Sequence, residues 1–203
     1  MGSMDHLRYA NASPDLQRDA LETVIRSEPL LWHALLIARD MDLPDWLIVS
    51  GAIYNSVWNH LTGRPSGHGI KDIDLFYFDD ADISYEAEDR VIQRGEVAFA
   101  DVPIPVEIRN QARVHLWYKN KFGRDCPRYE NSKQPIARFA SKTHAVGVRL
   151  TADDHLFIEA PFGLDDMFNF RITPNRTMVN QETHEEKGLR AKKNWPEVTV
   201  IDW

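Results

Sequence analysis

The chain has 203 residues, 43% hydrophobic and 27% charged, a balance that supports one globular domain with a buried core. Its formal net charge of −7 works against a broad nucleic-acid surface, which needs clustered Lys and Arg to displace counterions. A single cysteine, Cys126, cannot form an internal disulfide, and no apolar stretch approaches the ~20 residues that cross a bilayer. The expectation is a cytoplasmic protein without membrane contact, spanning residues 4–203, with Met1-Gly2-Ser3 an expression scar.

Two helices are expected over 15–27 and 28–41, separated at Pro29, the second carrying Leu31, Leu35 and Ala38 at helical spacing. Trp46 to Gly51 is a short apolar run stopped by glycine and reads as a buried strand. Ile53, Val57 and Leu61 recur every four residues, marking a helix that Gly63-Arg64-Pro65 ends. After a loop over 64–71, Asp72 to Phe78 forms a second strand. Asp79, Asp80 and Asp82 then cap a helix from about Ser84 to Arg94.

Pro103 and Pro105 precede a third strand, Val106 to Arg109, followed by a helix near Asn110 to Lys119. Residues 120–134 are polar and irregular. Ala145–Leu150 and His155–Ala160 read as a hairpin turning at Thr151-Ala152-Asp153-Asp154. A short helix around Gly163–Phe168 and a last one within 181–194 complete the chain. The class is α+β, a small mixed sheet with flanking helices. It divides into a helical N-terminal segment (about 15–43), a catalytic core (about 45–170) and a C-terminal helical extension (about 175–203).

The chemistry lies in an ordered set of residues. Alternate positions of a strand share a face, so Asp72 and Asp74 converge on one site. Paired carboxylates repel unless cations lie between them, and hard oxygen ligands suit Mg²⁺ or Mn²⁺. Glu107, on the next strand, completes a two-metal centre for nucleotidyl displacement. Ser50-Gly51 joins a strand to a helix N-terminus, where unpaired N–H groups and the helix dipole favour phosphate and glycine allows close approach.

Val49-Ser50-Gly51-Ala52-Ile53-Tyr54-Asn55, followed by Asp72-Ile73-Asp74-Leu75, resembles the Gly-Gly-x-Val-Arg-Asp … Asp-x-Asp head of CCA-adding enzymes and poly(A) polymerases. These belong to the DNA polymerase β superfamily. The chain departs from that head at Ser50, Tyr54 and Asn55, and its length leaves no room for tRNA-binding neck, body and tail domains. A resemblance over almost the whole chain is to a bacterial nucleotidyltransferase-like family of small stand-alone proteins. It is carried by Ile53–Leu61, Asp74–Asp79, Glu107–Arg113 and Ala160–Asp166. It implies a polymerase-β-like fold and active-site type, and no particular acceptor.

Arg109 shares a strand face with Glu107 and reads either as a clamp on the triphosphate or as the neutralising partner of Glu107. Lys71 and Arg113 are further candidates for phosphate, against the alternative of solvated surface charge. Asp165 and Asp166 read as a helix cap, and the eight scattered histidines give no zinc pattern. Lys187, Arg190, Lys192 and Lys193 make a basic helix that could contact an anionic acceptor, a solvated face being the preferred reading, and Trp58 and Trp117 read as core aromatics with the capacity to stack on a base.

The functional expectation is a Mg²⁺-dependent (or Mn²⁺-dependent) enzyme moving an NMP from an NTP such as ATP to an acceptor, with release of pyrophosphate. A small molecule or protein is favoured over a polynucleotide as that acceptor. The rival is an inactive nucleotide-binding or protein-interaction module on the same fold. A metal-dependent phosphodiesterase would use the same carboxylates, but the Ser50-Gly51 turn favours an NTP.

Overall fold

Proline and serine mark where the first helices begin. In this computed structural model, which describes residues 4–203, so that the segment expected to be an expression scar, Met1-Gly2-Ser3, lies outside the described residues, α1 spans Pro14–Ser27. Ser13 caps it, its hydroxyl accepting from the Leu16 N–H at 3.3 Å, and proline fills a first-turn position where no N–H is missed. Proline likewise opens α2 (Pro29–Asp40). Helix α3 (Gly51–Thr62) stops at Gly63, whose φ of +68° is the left-handed conformation that ends helices. No helix among the described residues is long and apolar enough to cross a membrane.

The central sheet has five strands: β1 (Leu47–Val49), β2 (Ile73–Tyr77), β3 (Val106–Asn110), β4 (Gly147–Leu150) and β5 (Leu156–Glu159). Their order is β3-β2-β1-β4-β5, with β2 and β3 parallel and the other pairs antiparallel. A parallel pair needs a crossover, supplied by α4 (Tyr85–Ala98). Its cap is Ser84, whose hydroxyl accepts from the Ala87 N–H at 3.2 Å. The aspartate cap expected there is corrected: Asp82 serves the turn before the helix, accepting from the Ser84 N–H at 2.9 Å.

Register assigns the two faces. Ile48, Leu75, Ile108 and Val148 are successive partners across four strands and are buried in the main core with the helices. Val49, Asp74 and Glu107 are partners on the opposite face, with Leu47, Phe76 and Arg109 one step along. Ile136 and Ala145 pack over Leu47 and Val49, whereas Glu107 stays exposed. The acidic part of this face is therefore open.

Helices α5 (Val114–Phe122), α6 (Asp165–Phe168) and α7 (Gln181–Asn194) follow, with a two-stranded parallel sheet of β6 (Arg171–Ile172) and β7 (Thr199–Val200). That sheet is not anticipated from the sequence, nor are the 3₁₀ turns at Ile136–Arg138 and Lys142–His144. Helix α5 starts later than expected because Asn110 ends β3 and its side-chain carbonyl holds a turn, accepting from the Ala112 N–H at 3.0 Å.

Buried polar contacts anchor α7. The His184 ring lies 2.7 Å from the Ser141 hydroxyl and 2.8 Å from the Ile201 carbonyl. Trp195, at its C-terminal end, donates to the Asn59 side chain at 3.1 Å and packs edge-on against Trp58. Gly69 makes room for that indole: its φ is +70°, and a Cβ there would lie 2.4 Å from Trp195 Cη2. Gly69→Ala therefore combines backbone strain with overpacking against a rigid ring, and is expected to cost about 2–4 kcal/mol in urea unfolding. A loss near zero would show that the indole has room to move aside.

Candidate active site

The turn between β1 and α3 is strained. Ser50 takes φ 57° and ψ −115°, a region that side-chain-bearing residues avoid, with its N–H donating to the Val146 carbonyl at 2.8 Å. Its hydroxyl is buried without a hydrogen-bond partner, as is the side-chain carbonyl of Asn55 one turn along α3. No side chain caps the helix start. A Cβ on Gly51 would meet nothing closer than Asn55 Nδ2 at 3.8 Å, so the protein leaves the space over the turn open. Unpaired donors, a positive helix end and free space together form a seat for an anion.

Asp74 borders this turn, because it is the register partner of Val49 on one side and of Glu107 on the other. Asp72 precedes β2 by one residue, its carboxylate 3.3 Å from the ammonium of Lys71. Glu107 lies 3.5 Å from the guanidinium of Arg109. Burial, with the charges of Asp72 and Glu107, pushes the Asp74 carboxyl up to about 6 against the opposing pull of Lys187 and Arg109. Among the described residues no three His, Cys, Asp or Glu side chains already close around one point. The two outer carboxylates instead rest on neighbouring cations of their own.

Lys187 reaches this site from α7. Burial lowers its ammonium pKa while Asp74 and Asp72 support its charge. Arg190, one turn on, lies beside the hydroxyl of Tyr54, which burial pushes up to about 12 and which therefore stays protonated. Tyr54 stacks on His144 with ring centroids 4.8 Å apart. Both His144 ring nitrogens are buried without partners, and burial, with Lys187, His184 and Arg190 nearby, holds its pKa well below the usual histidine value.

The reading of α7 as a solvated basic face thus divides. Lys192 and Lys193 are exposed, while Lys187 is partly buried and faces Asp74 and Asp72, and Arg190, exposed itself, reaches Tyr54. Small residues marked the packed side: Gly188 and Ala191 are buried, with a Cβ on Gly188 only 2.7 Å from Val200. Sequence reasoning preferred a solvated face for Lys187 and Arg190, and it did not single out Tyr54 or His144 for the site.

Residues 36–200 match the model of a family described as nucleotidyltransferase. The chain belongs to that nucleotidyltransferase family. A solved structure titled as revealing a CCA-adding enzyme head domain superposes with a TM-score of 0.73 at 23% identity, over 95% of this chain and 99% of that one. At that identity the likeness establishes a shared fold, the α+β, polymerase-β-like nucleotidyltransferase fold. A comparison with curated proteins found no match.

Two candidates fall away from the candidate site. Arg113 does not join the phosphate side: it is nearly buried, pairs with Glu88 of α4 and stacks on Tyr85. A guanidinium in a buried pair cannot leave without stranding its partner, at about 3–5 kcal/mol. Trp58 is wholly buried, with its indole N–H donating to the Met167 carbonyl at 2.9 Å, and is core. Asp165 and Asp166 hold Arg171 and the α1 end of the molecule, apart from the site.

The raised pKa of Asp74 has a definite sign. The folded chain disfavours its ionised form, so the penalty is absent below 3.8 and complete above about 6, and stability falls as pH rises through that window. Asp74→Asn in EDTA is expected to raise unfolding free energy near neutral pH by up to about 3 kcal/mol, with the gain vanishing near pH 4. A variant that is less stable at both pH values in urea melts would show a well-paired Asp74 instead.

Proposed function

We propose that this nucleotidyltransferase moves a nucleoside monophosphate from an NTP to an acceptor hydroxyl, with release of pyrophosphate, in a divalent-metal-dependent reaction. The observation that carries this reading is the register pairing of Asp74 with Glu107, next to Asp72, on an open sheet face beside the uncapped start of α3. The carboxylates of Asp72, Asp74 and Glu107 repel one another, Asp74 out of water, and the donors are all hard oxygens, so the residues fit Mg²⁺ or Mn²⁺. Asp72 and Asp74 would bridge two such ions and Glu107 would complete the one nearer the acceptor, supplying charge to offset the triphosphate and to acidify the attacking hydroxyl.

The chain's own groups have separable tasks. The N–H groups behind Ser50 and Gly51, with the unpartnered Ser50 hydroxyl, would receive the β- and γ-phosphates. Lys71 lies at the edge of the site, exposed and able to exchange Asp72 for phosphate. The acceptor hydroxyl oxygen attacks the α-phosphorus as the bond to the α,β-bridging oxygen breaks; the electron pair leaves with pyrophosphate and the hydroxyl proton passes to water. Lys187, whose burial makes its charge poorly screened, would offset negative charge developing near the carboxylates. Arg109 would release Glu107 and steady the acceptor side.

A second reading, a nucleotide sensor without transfer, is favoured by the carboxylates not closing around a common point among the described residues. Titration calorimetry and labelling separate the two. Nucleotide affinity is expected to be at least about 10-fold higher with Mg²⁺ or Mn²⁺ than with EDTA, since bound charge must be offset. Asp72→Asn and Asp74→Asn should lose both binding and transfer. Glu107→Gln should keep affinity within a few-fold yet reduce transfer of α-phosphate label into a cell-extract acceptor by about 100-fold or more. Equal affinity with and without metal would remove the metal-dependent reading, and metal-dependent binding without label transfer would leave the sensor.

A further inference from the structure

The carboxylate face does not end at Asp74 and Glu107. One register step along, Phe76 and Arg109 form the floor of a cleft of about 520 Å³, walled by α5, by the segment over 124–140 and by residues 178–187. The direction matters. Ser50 follows Val49, the partner of Asp74, whereas Phe76 partners Leu47, so the phosphate turn and the cleft flank the carboxylates on opposite sides. A molecule in the cleft would face Asp74 and Glu107 from the end the triphosphate leaves free.

The lining selects for charge. Arg109, Lys121, Arg124, Arg138 and Lys187 line the cleft against a single acid, Glu182. Among the described residues Arg109 alone of the five has a carboxylate within 4.0 Å. In a chain with net charge −7, a local excess of unpaired cations marks a place for an anion. It is not the place of the triphosphate, whose charge is met at the start of α3, and a nucleoside base and ribose are neutral. The walls carry aromatic rings that offer faces and edges to a planar guest: Phe76 and Phe139 meet edge-on at 6.0 Å, and the Lys121 ammonium lies 5.6 Å from the centre of the Trp117 ring. The volume suits one small molecule, within the roughly 300–1,000 Å³ of ligand pockets.

We infer that this cleft is the acceptor pocket of the proposed transferase and takes a small, flat, anionic molecule carrying the hydroxyl to be modified. The inference rests on the nucleotidyl-transfer reading, and the test keeps the two apart. Full-length protein with Mg²⁺ and a non-hydrolysable ATP analogue is titrated with phenyl phosphate and with benzoate. Benzyl alcohol serves as the uncharged control and inorganic phosphate as the ring-free one, with binding followed by calorimetry and ligand-observed NMR.

The aromatic anions should bind alongside the nucleotide analogue, and the two controls should bind at least about fivefold more weakly. Arg138→Ala combined with Lys121→Ala, both exposed positions, should weaken the aromatic anions about 10-fold and leave nucleotide-analogue affinity unchanged, which also verifies folding. Competition between phenyl phosphate and the analogue would overturn the inference and make the cleft the seat of the base. Equal binding of benzyl alcohol or of inorganic phosphate, or no binding by any probe, would overturn it as well. Failure of the analogue itself to bind would instead count against the transferase reading, whatever the anions do.

Discussion

Parallel pairing of β2 with β3 brings Asp74 level with Glu107, and Asp72 lies two residues upstream on the same face. Like charges gathered on one sheet face, partly out of water, repel with little screening, and the molecule around them is organised by that repulsion. Lys71 and Arg109 sit against the outer two carboxylates. Asp74, between them, has no such neighbour, is held above the usual carboxylate range by burial, and has only the more distant charges of Lys187 and Arg109 to offset it. The face is stable as built only because cations approach it, and it is incomplete in the sense that more positive charge would still be favourable. An NTP with its divalent ions is one way to meet that need.

The second element is a strained turn placed where strain is useful. Ser50, in an unfavourable backbone region, keeps a buried hydroxyl without a partner at the uncapped start of α3, beside Asp74. Nothing in the protein crowds Gly51, so its missing side chain serves approach from outside rather than internal packing. The turn and the carboxylates are joined by β1, whose three residues are buried and paired on both edges. Their separation is therefore set by the stiffest part of the sheet.

Much of this was legible because it is local. The Asp-x-Asp pair follows from the two-residue period of a strand, and the turn at Ser50-Gly51 from an apolar run ending in glycine. The extent of α7, Gln181–Asn194, agrees with the expected range. What was not legible depends on partners distant in sequence. Arg113 is taken by Glu88 across the β3–α4 packing, which no spacing rule reveals. Strands β6 and β7 have two residues each, too few for any periodicity. The orientation of Lys187 depends on His184 gripping Ser141 and Ile201 and on Trp195 lying over Gly69, contacts that exist only once the chain is folded.

Helix α7 carries a consequence of its own. The carboxylates come from the middle of the chain, yet Lys187 and Arg190 arrive on a helix fastened near the C-terminus by His184 and Trp195. The acidic face therefore owes part of its positive charge to packing remote from it in sequence: Trp195 is buried against Trp58 and Gly69, with Gly188 and Ala191 buried on the same helix. Opening α7 would bring that indole into water, so the helix is held by the core and not by the charges it carries. Amide exchange in α7 would accordingly report how firmly the acidic face is kept compensated.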